Sequence, residues 1–413
     1  MTGRTKRTIA VIAGHVMEHY DISLYGFFAV LLAPYFFPES SAYSAQIASF
    51  GAFAAGFVMR PVGATVFGYI GDRFGRRRAL IASIIFATLP TLLIGLLPTY
   101  AEIGLLAPIA LMICRLAQGI SVGGEFSGAL VYIYEHNSHD RPAFKSASLL
   151  GAGFAGAVLG TGIGALCTAD QMPAWGWRIP FILGGVLGIL IYWLRRNLEE
   201  TPDFQNILHT QGLIRLPLAQ VLKHNGREFL CTIVFGGANL VPLYLATVYM
   251  NACFNSLGIG KSTILANNAC VLLASGLLMP LVGLAADRFG LAVIMKVGLA
   301  FLGLFALPAY TYLTQDPSFE SYVLLQSFLV IGNALVIAPL TSFLPRLFRP
   351  AHRYTGISVS YTLGQASLGG LTPIIASTLV AATHANWAPG LLLAGAVFVF
   401  YTALKACEGR VRA

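Results

Sequence analysis

The chain has 413 residues, of which 56% are hydrophobic and 10% charged, with a mean hydropathy of +0.73. Soluble domains carry about 25% charged residues, so this composition excludes a water-soluble protein and requires much of the chain to face lipid. The net charge of +9 does not point to nucleic acid. All Lys and Arg residues except Arg60, Arg115, Arg178 and Lys261 fall at or near ends assigned to the cytosol, which is the positive-inside bias of a multi-pass membrane protein.

Twelve runs reach the roughly 20 apolar residues that a spanning helix needs. Six lie near 8–37, 45–71, 79–98, 104–134, 143–168 and 177–194. Six more lie near 228–256, 263–286, 291–313, 321–346, 354–382 and 388–406. An all-α membrane protein with both termini in the cytosol is expected. The first run carries Glu18 and Asp21 and leads straight into further spans, which argues against a cleavable leader. The expected domains are 1–194, a cytoplasmic linker 195–227, and 228–413. Within the linker, Ile207 to Leu222 reads as one surface helix.

Charges inside a membrane are costly and need a reason. Glu18, Asp21, Arg60, Arg115 and Glu125 lie within spans, and all belong to the first half. Glu18, Asp21 and Tyr25 are spaced to share one helix face, flanked by His15 and His19. Asp21 is the first choice for a proton carrier, with Glu18 and Glu125 as further coupling candidates. The competing reading is a static ion pair with Arg60 or Arg115. Arg60 precedes Gly71 by a rise of about 16 Å and so sits near the midplane. Arg115, Gln118, Val122 and Glu125 fall within about 80° of one another on a helix. Arg115 either binds an anionic substrate or pairs with a carboxylate. The second half offers neutral polar groups at comparable depth: Asn239, Gln326, Asn333, Tyr361 and Gln365, with Asn251, Asn267 and Asn268. The first half thus reads as titratable machinery and the second as a shaper of the substrate pocket.

Glycines at 151, 153, 156, 160, 162 and 164 pattern the fifth span for close helix contact. Pro90, Pro108, Pro242, Pro280, Pro308, Pro339 and Pro373 are expected to interrupt spans. The cysteines are scattered without ligand spacing, and no metal site, cofactor, nucleotide loop or nucleophile constellation is expected.

Between the second and third spans, Gly68-Tyr69-Ile70-Gly71-Asp72-Arg73-Phe74-Gly75-Arg76-Arg77-Arg78 reads as a tight cytosolic turn. A weaker copy, Gly283 to Gly290, holds Asp287 and Arg288, so the chain is built twice. Gly71, Asp72, Arg73, Gly75, Arg76, Glu135, Asp287 and Arg288 are candidate gating residues; the alternative is retention of topology only. The first copy resembles the loop motif between helices 2 and 3 of the major facilitator superfamily, which repeats it between helices 8 and 9. Arg115-x-x-Gln118-Gly119 followed by Val122-Gly123-Gly124-Glu125 is similar to helix 4 of the metabolite–proton symporter family. Trp175 to Phe181, Leu198 to Phe204 and Leu347 to Ser358 resemble further stretches of it. That family includes transporters for citrate, 2-oxoglutarate, shikimate, proline and betaine.

The resemblance implies two pseudo-symmetric six-helix bundles in a bacterial cytoplasmic membrane, working as a monomer without cofactor or nucleic acid. It implies no enzyme, but a proton-coupled importer of a small organic metabolite by alternating access. The intramembrane arginines favour a carboxylate or polycarboxylate, with a citrate-like metal chelator included. A zwitterionic osmolyte is the alternative. Proton-coupled export is disfavoured, since exporters often carry a Gly-Pro motif in helix 5 and here that helix has no internal proline after Pro142. The chain stops at Ala413, shortly after the last span, so osmotic gating by a C-terminal coiled coil is not expected.

Overall fold

The computed structural model describes residues 3–37, 51–52, 54–168, 171–210, 215–313, 315 and 317–412. Among these residues every regular element is helical. That is what lipid demands, because a helix satisfies its own backbone donors and acceptors. The first six long helices are α1 (Gly3–Phe36), α2 (Arg60–Arg73), α3 (Arg76–Leu96), α4 (Leu106–Asn137), α5 (Pro142–Cys167) and α6 (Arg178–Arg196). The second six are α7 (Gly226–Ser256), α8 (Lys261–Phe289), α9 (Leu291–Leu313), α10 (Phe319–Leu347), α11 (Pro350–Thr383) and α12 (Pro389–Arg412). Ten of these helices are long and apolar enough to cross a membrane. Helical residues 54–58 precede α2, and the expected start of its span at 45–50 lies outside the described residues.

The chain forms two compact units. One comprises Met1–His136, Ala152–Leu218 and Pro350–Val359, and the other Asn137–Gly151, Ala219–Arg349 and Ser360–Ala413. Each unit therefore takes in a short segment from the other half of the sequence: the start of α11 in the first, the start of α5 in the second.

The prolines behave differently from expectation. Pro90, Pro280, Pro308 and Pro339 sit inside continuous helices. Among the described residues, α7 and α11 contain π-helical turns. In α7, Pro242 lies just ahead of a π-helical turn, Leu245–Tyr249. In α11, the π-helical turn Gln365–Gly369 precedes Pro373. Proline removes one backbone donor and its ring displaces the carbonyl four residues back; for Pro373 that carbonyl is Gly369's, within the π turn, whereas for Pro242 it is Ala238's, ahead of the turn. The linker also differs. It forms two short helices, Pro202–Thr210 and Pro217–His224, in place of one over 207–222; residues 211–214 lie outside the described residues.

Close packing in the first unit depends on missing side chains. A Cβ at Gly156 would stand 2.2 Å from the Val16 carbonyl oxygen, and one at Gly160 would stand 2.5 Å from that of Tyr20. So α5 meets α1 backbone to backbone, as the glycine pattern predicts. A core of Met17, Tyr20, Leu24, Phe28, Trp177 and Phe181 fills the space beyond.

Candidate functional site

Asp21 is buried in α1 and is held by neutral donors. Gln118 Nε2 donates to both carboxylate oxygens, at 2.8 and 2.7 Å. Thr91 Oγ1 lies 2.6 Å from Oδ1. On its other side, the Gln118 carbonyl oxygen accepts from Arg115 Nη1 at 2.6 Å. The orientation of this amide is forced, because a guanidinium only donates and a carboxylate only accepts. Gln118 thereby joins Arg115 to Asp21 in one polarised chain. The Arg115 guanidinium lies over the Tyr25 ring, 3.9 Å from its centroid. Arg60 stacks on Phe57 at 3.6 Å and lines one small cavity with Asp21, Arg115, Gln118 and Val122. The first-half residues expected to share a site are therefore brought together, except Glu18 and Glu125.

Glu125 has another partner. Arg195, at the end of α6, grips it with both terminal nitrogens, Nη1 at 2.8 Å from Oε2 and Nη2 on Oε1. Ser83 Oγ adds a contact at 2.6 Å. Arg195 is fully buried and also donates to the Leu80 carbonyl at 2.8 Å. The sequence places Arg195 among topology-retaining charges; in the structure it neutralises an intramembrane carboxylate. Glu18 points elsewhere too, its Oε2 hydrogen-bonded with His15 Nδ1 at 2.9 Å.

The polar groups of the second half form two clusters. Gln326 donates to the Ala246 carbonyl at 2.6 Å, within the π turn of α7, and accepts from Asn267 at 2.7 Å. Asn239 donates to the carbonyls of Phe235 and Gly236 near Pro242, and the Tyr361 hydroxyl approaches its Oδ1 at 3.5 Å. Asn333 and Asn239 line one small cavity with Pro242 and Phe400. Gln365 opens the π turn of α11. A larger cavity, about 350 Å³, is lined by Tyr249, Tyr310, Tyr322, Cys253, Ser377 and Asn386.

The repeated loop motif places both aspartates at helix starts. Asp72 accepts from the backbone amides of Tyr354 and Thr355, at 3.2 and 2.8 Å. Asp287 accepts from those of Ala143 and Phe144, both at 2.9 Å. The first turn of a helix leaves its amides without partners and carries partial positive charge, so a carboxylate is stabilised there. Gly71 allows the approach, since a Cβ would stand 1.9 Å from the Tyr354 ring. Gly75 turns the chain with φ of 109°.

Around Asp72, buried Arg76 reaches Glu135 through Nε and Nη2, each at 3.2 Å, and the Gly71 carbonyl at 2.9 Å. Glu135 also accepts from Arg353 at 2.8 Å, and Arg353 donates to Asp203 at 2.7 Å. Glu200 caps α3, accepting from the backbone amides of Arg76 and Arg77 at 3.0 and 3.3 Å. Burial pushes the Glu200 carboxyl above its ordinary range, against the pull of those amides. Arg73 reaches the Arg215 carbonyl at 3.4 Å and lies over the Tyr69 and Phe74 rings, and Arg288 lies over Phe289. Residue spacing did not reveal Arg195, Arg353, Asp203 or Glu200; the last three lie in the stretches Leu198 to Phe204 and Leu347 to Ser358, whose likeness was their one signal, and Arg195 lies outside both.

Residues 6–212 match the model of the sugar (and other) transporter family. The shikimate transporter of Escherichia coli K12 is 32% identical over 411 residues, covering 97% of this chain and 93% of the relative. The citrate-proton symporter of Klebsiella pneumoniae is 34% identical over 392 residues, covering 92% and 87%. Among solved structures, the proton:xylose symporter XylE superposes with a TM-score of 0.78 at 18% identity, covering 97% of this chain and 95% of that one. The fold of the major facilitator superfamily, twelve transmembrane helices, is thereby shown, and the relatives are transporters rather than enzymes. The chain belongs to the sugar (and other) transporter family within the major facilitator superfamily and is a multi-pass membrane transporter.

Proposed function

We propose that this chain imports a small organic carboxylate together with a proton, by alternating access. The observation that carries the reading is the setting of Asp21. It is buried, bonded to neutral donors, and one amide removed from Arg115. Its charge can change without tearing a direct ion pair, whereas protonating Glu125 would strand Arg195. A carboxylate substrate would take the place of the Gln118 carbonyl on Arg115, whose planar fork suits that group, and would add negative charge beside Asp21. Substrate arrival would then favour a proton on Asp21, and loss of the substrate would favour its release. The acids named for two relatives, shikimate and citrate, are of this class.

The halves 1–194 and 228–413 would rock about a midplane site, as in transporters built from repeats, with the loop-motif contacts of Asp72 and Asp287 holding the cytosolic side shut. The setting is a bacterial cytoplasmic membrane with both termini in the cytosol, and the working unit is a monomer.

A second reading has its own support. Tyr249, Tyr310 and Tyr322 line a cavity of about 350 Å³ in the second unit, and tyrosine faces attract quaternary ammonium groups. A zwitterion such as betaine would fit there. A thermal-shift screen of the purified protein separates the readings, since a ligand of the folded state raises its melting temperature. Stabilisation by hydroxy-, keto- or polycarboxylates is expected. Stabilisation by zwitterions alone would overturn the carboxylate assignment.

A further inference from the structure

We infer that His15, Glu18 and His19 form a binding site for a divalent transition-metal ion of the zinc class within α1. The inference does not depend on the substrate or on proton coupling. One candidate ligand atom on each of the three residues lies within 4.8 Å of the other two. They sit at positions i, i+3 and i+4, so one helical turn presents all three on one face. The two imidazoles are packed edge to face, with ring centroids 4.3 Å apart.

The hydrogen bonds orient both rings. His15 Nδ1 pairs with the Glu18 carboxylate at 2.9 Å and His19 Nδ1 with the His15 carbonyl at 3.2 Å. The His15 carbonyl only accepts, so His19 Nδ1 carries the proton and its Nε2 keeps the lone pair. His15 Nε2 is buried and has no hydrogen-bond partner. A buried polar atom left unsatisfied is costly, and coordination of a metal ion by this imidazole would offset that cost.

Space is provided by α5. A Cβ at Gly153 would stand 2.9 Å from His15 Nε2 and 2.9 Å from His19 Cε1. Glycine at this position leaves the imidazole edges uncovered. Ligands about 2.1 Å from zinc stand roughly 3.4 Å apart in a tetrahedron, so the set closes when side-chain rotation takes the Glu18 carboxylate from His15 Nδ1 to the ion. His15 and Glu18 are buried and His19 is partly exposed, which gives the ion an approach. Two imidazoles and a carboxylate suit zinc, cobalt, nickel or copper better than calcium or magnesium. The charges acting on the cluster are those of Glu125, Arg195 and Arg60, and the first two offset each other as an ion pair.

The test uses the full-length protein in detergent, with any purification tag removed and metals stripped by a chelator. Zn²⁺ is titrated calorimetrically, and Co²⁺ is added to read its visible absorption. Saturable binding of one ion per chain is expected, with the intense cobalt bands of a low-coordinate nitrogen and oxygen site. His15→Asn and His19→Gln should each weaken zinc binding by at least about tenfold, the scale at which even supporting residues of metal sites act. Absence of saturable binding in the wild type overturns the inference. So does undiminished binding in the double variant, which would place the ion on other histidines. Should those variants fail to fold, Gly153→Ala decides: it keeps every ligand but fills the gap beside His15, and an unchanged zinc affinity there overturns the inference.

Discussion

Arg195 and Glu125 form a two-pronged ion pair between α6 and α4, with both side chains buried. Burying two charges is tolerable only when each is fully matched. Ser83 and the Leu80 carbonyl complete the matching. Removing one partner leaves an uncompensated charge inside the bundle. Glu125→Gln and Arg195→Gln should therefore each lower unfolding free energy by about 3–5 kcal/mol. Glu125→Leu combined with Arg195→Met should recover much of that loss. Denaturant unfolding of the detergent-solubilised variants checks both statements.

The paired loop aspartates should act alike on the segments they cap. Asp72→Ala removes an acceptor from the first turn of α11, and Asp287→Ala removes one from the start of α5. Lost caps cost about 0.5–2 kcal/mol. A cysteine placed at buried Ser358 should react with a water-soluble maleimide about fivefold faster when Asp72 is replaced, the scale of about 1 kcal/mol in an opening equilibrium. A cysteine at buried Ser146 should respond to Asp287→Ala in the same way. Unchanged labelling rates would remove the gating role from these residues.

Glu200 gives stability a pH dependence. Its carboxyl is raised by burial, so the folded state binds the proton more tightly than the unfolded chain does. Stability from this group is then fully present below the unfolded pKa and is lost as pH rises through the folded one. Glu200→Gln keeps an oxygen to accept from the amides of Arg76 and Arg77 but cannot ionise. Melting temperature should fall less steeply from acidic toward neutral pH in the variant than in the wild type. Parallel curves would show that Glu200 ionises equally in both states.

How far the sequence revealed this protein follows from which signals are local. Long apolar runs are local, so the helices lie within a few residues of their expected places. The spacing of Asp72 and Asp287 in two copies of one motif marked both as special before their helix-capping geometry was visible. Arg115, Gln118 and Asp21 were legible because charge within an apolar run stands out. Arg195 was not, because a basic residue at a helix end looks the same whether it anchors topology or pairs inward with Glu125. The π turns after Pro242 and before Pro373 were also hidden. Pro90, Pro280, Pro308 and Pro339 sit in unbroken helices, so proline alone does not say where winding changes.

The central claim is that Asp21 carries the coupled proton. It is tested by uptake into proteoliposomes with an acidic exterior, using the carboxylate that most stabilises the purified protein. The wild type should accumulate that carboxylate above its outside concentration and lose the gradient when a protonophore is added. Asp21→Asn should show the same thermal shift with the ligand yet only equilibrate it. Accumulation by Asp21→Asn to the wild-type level would contradict the claim.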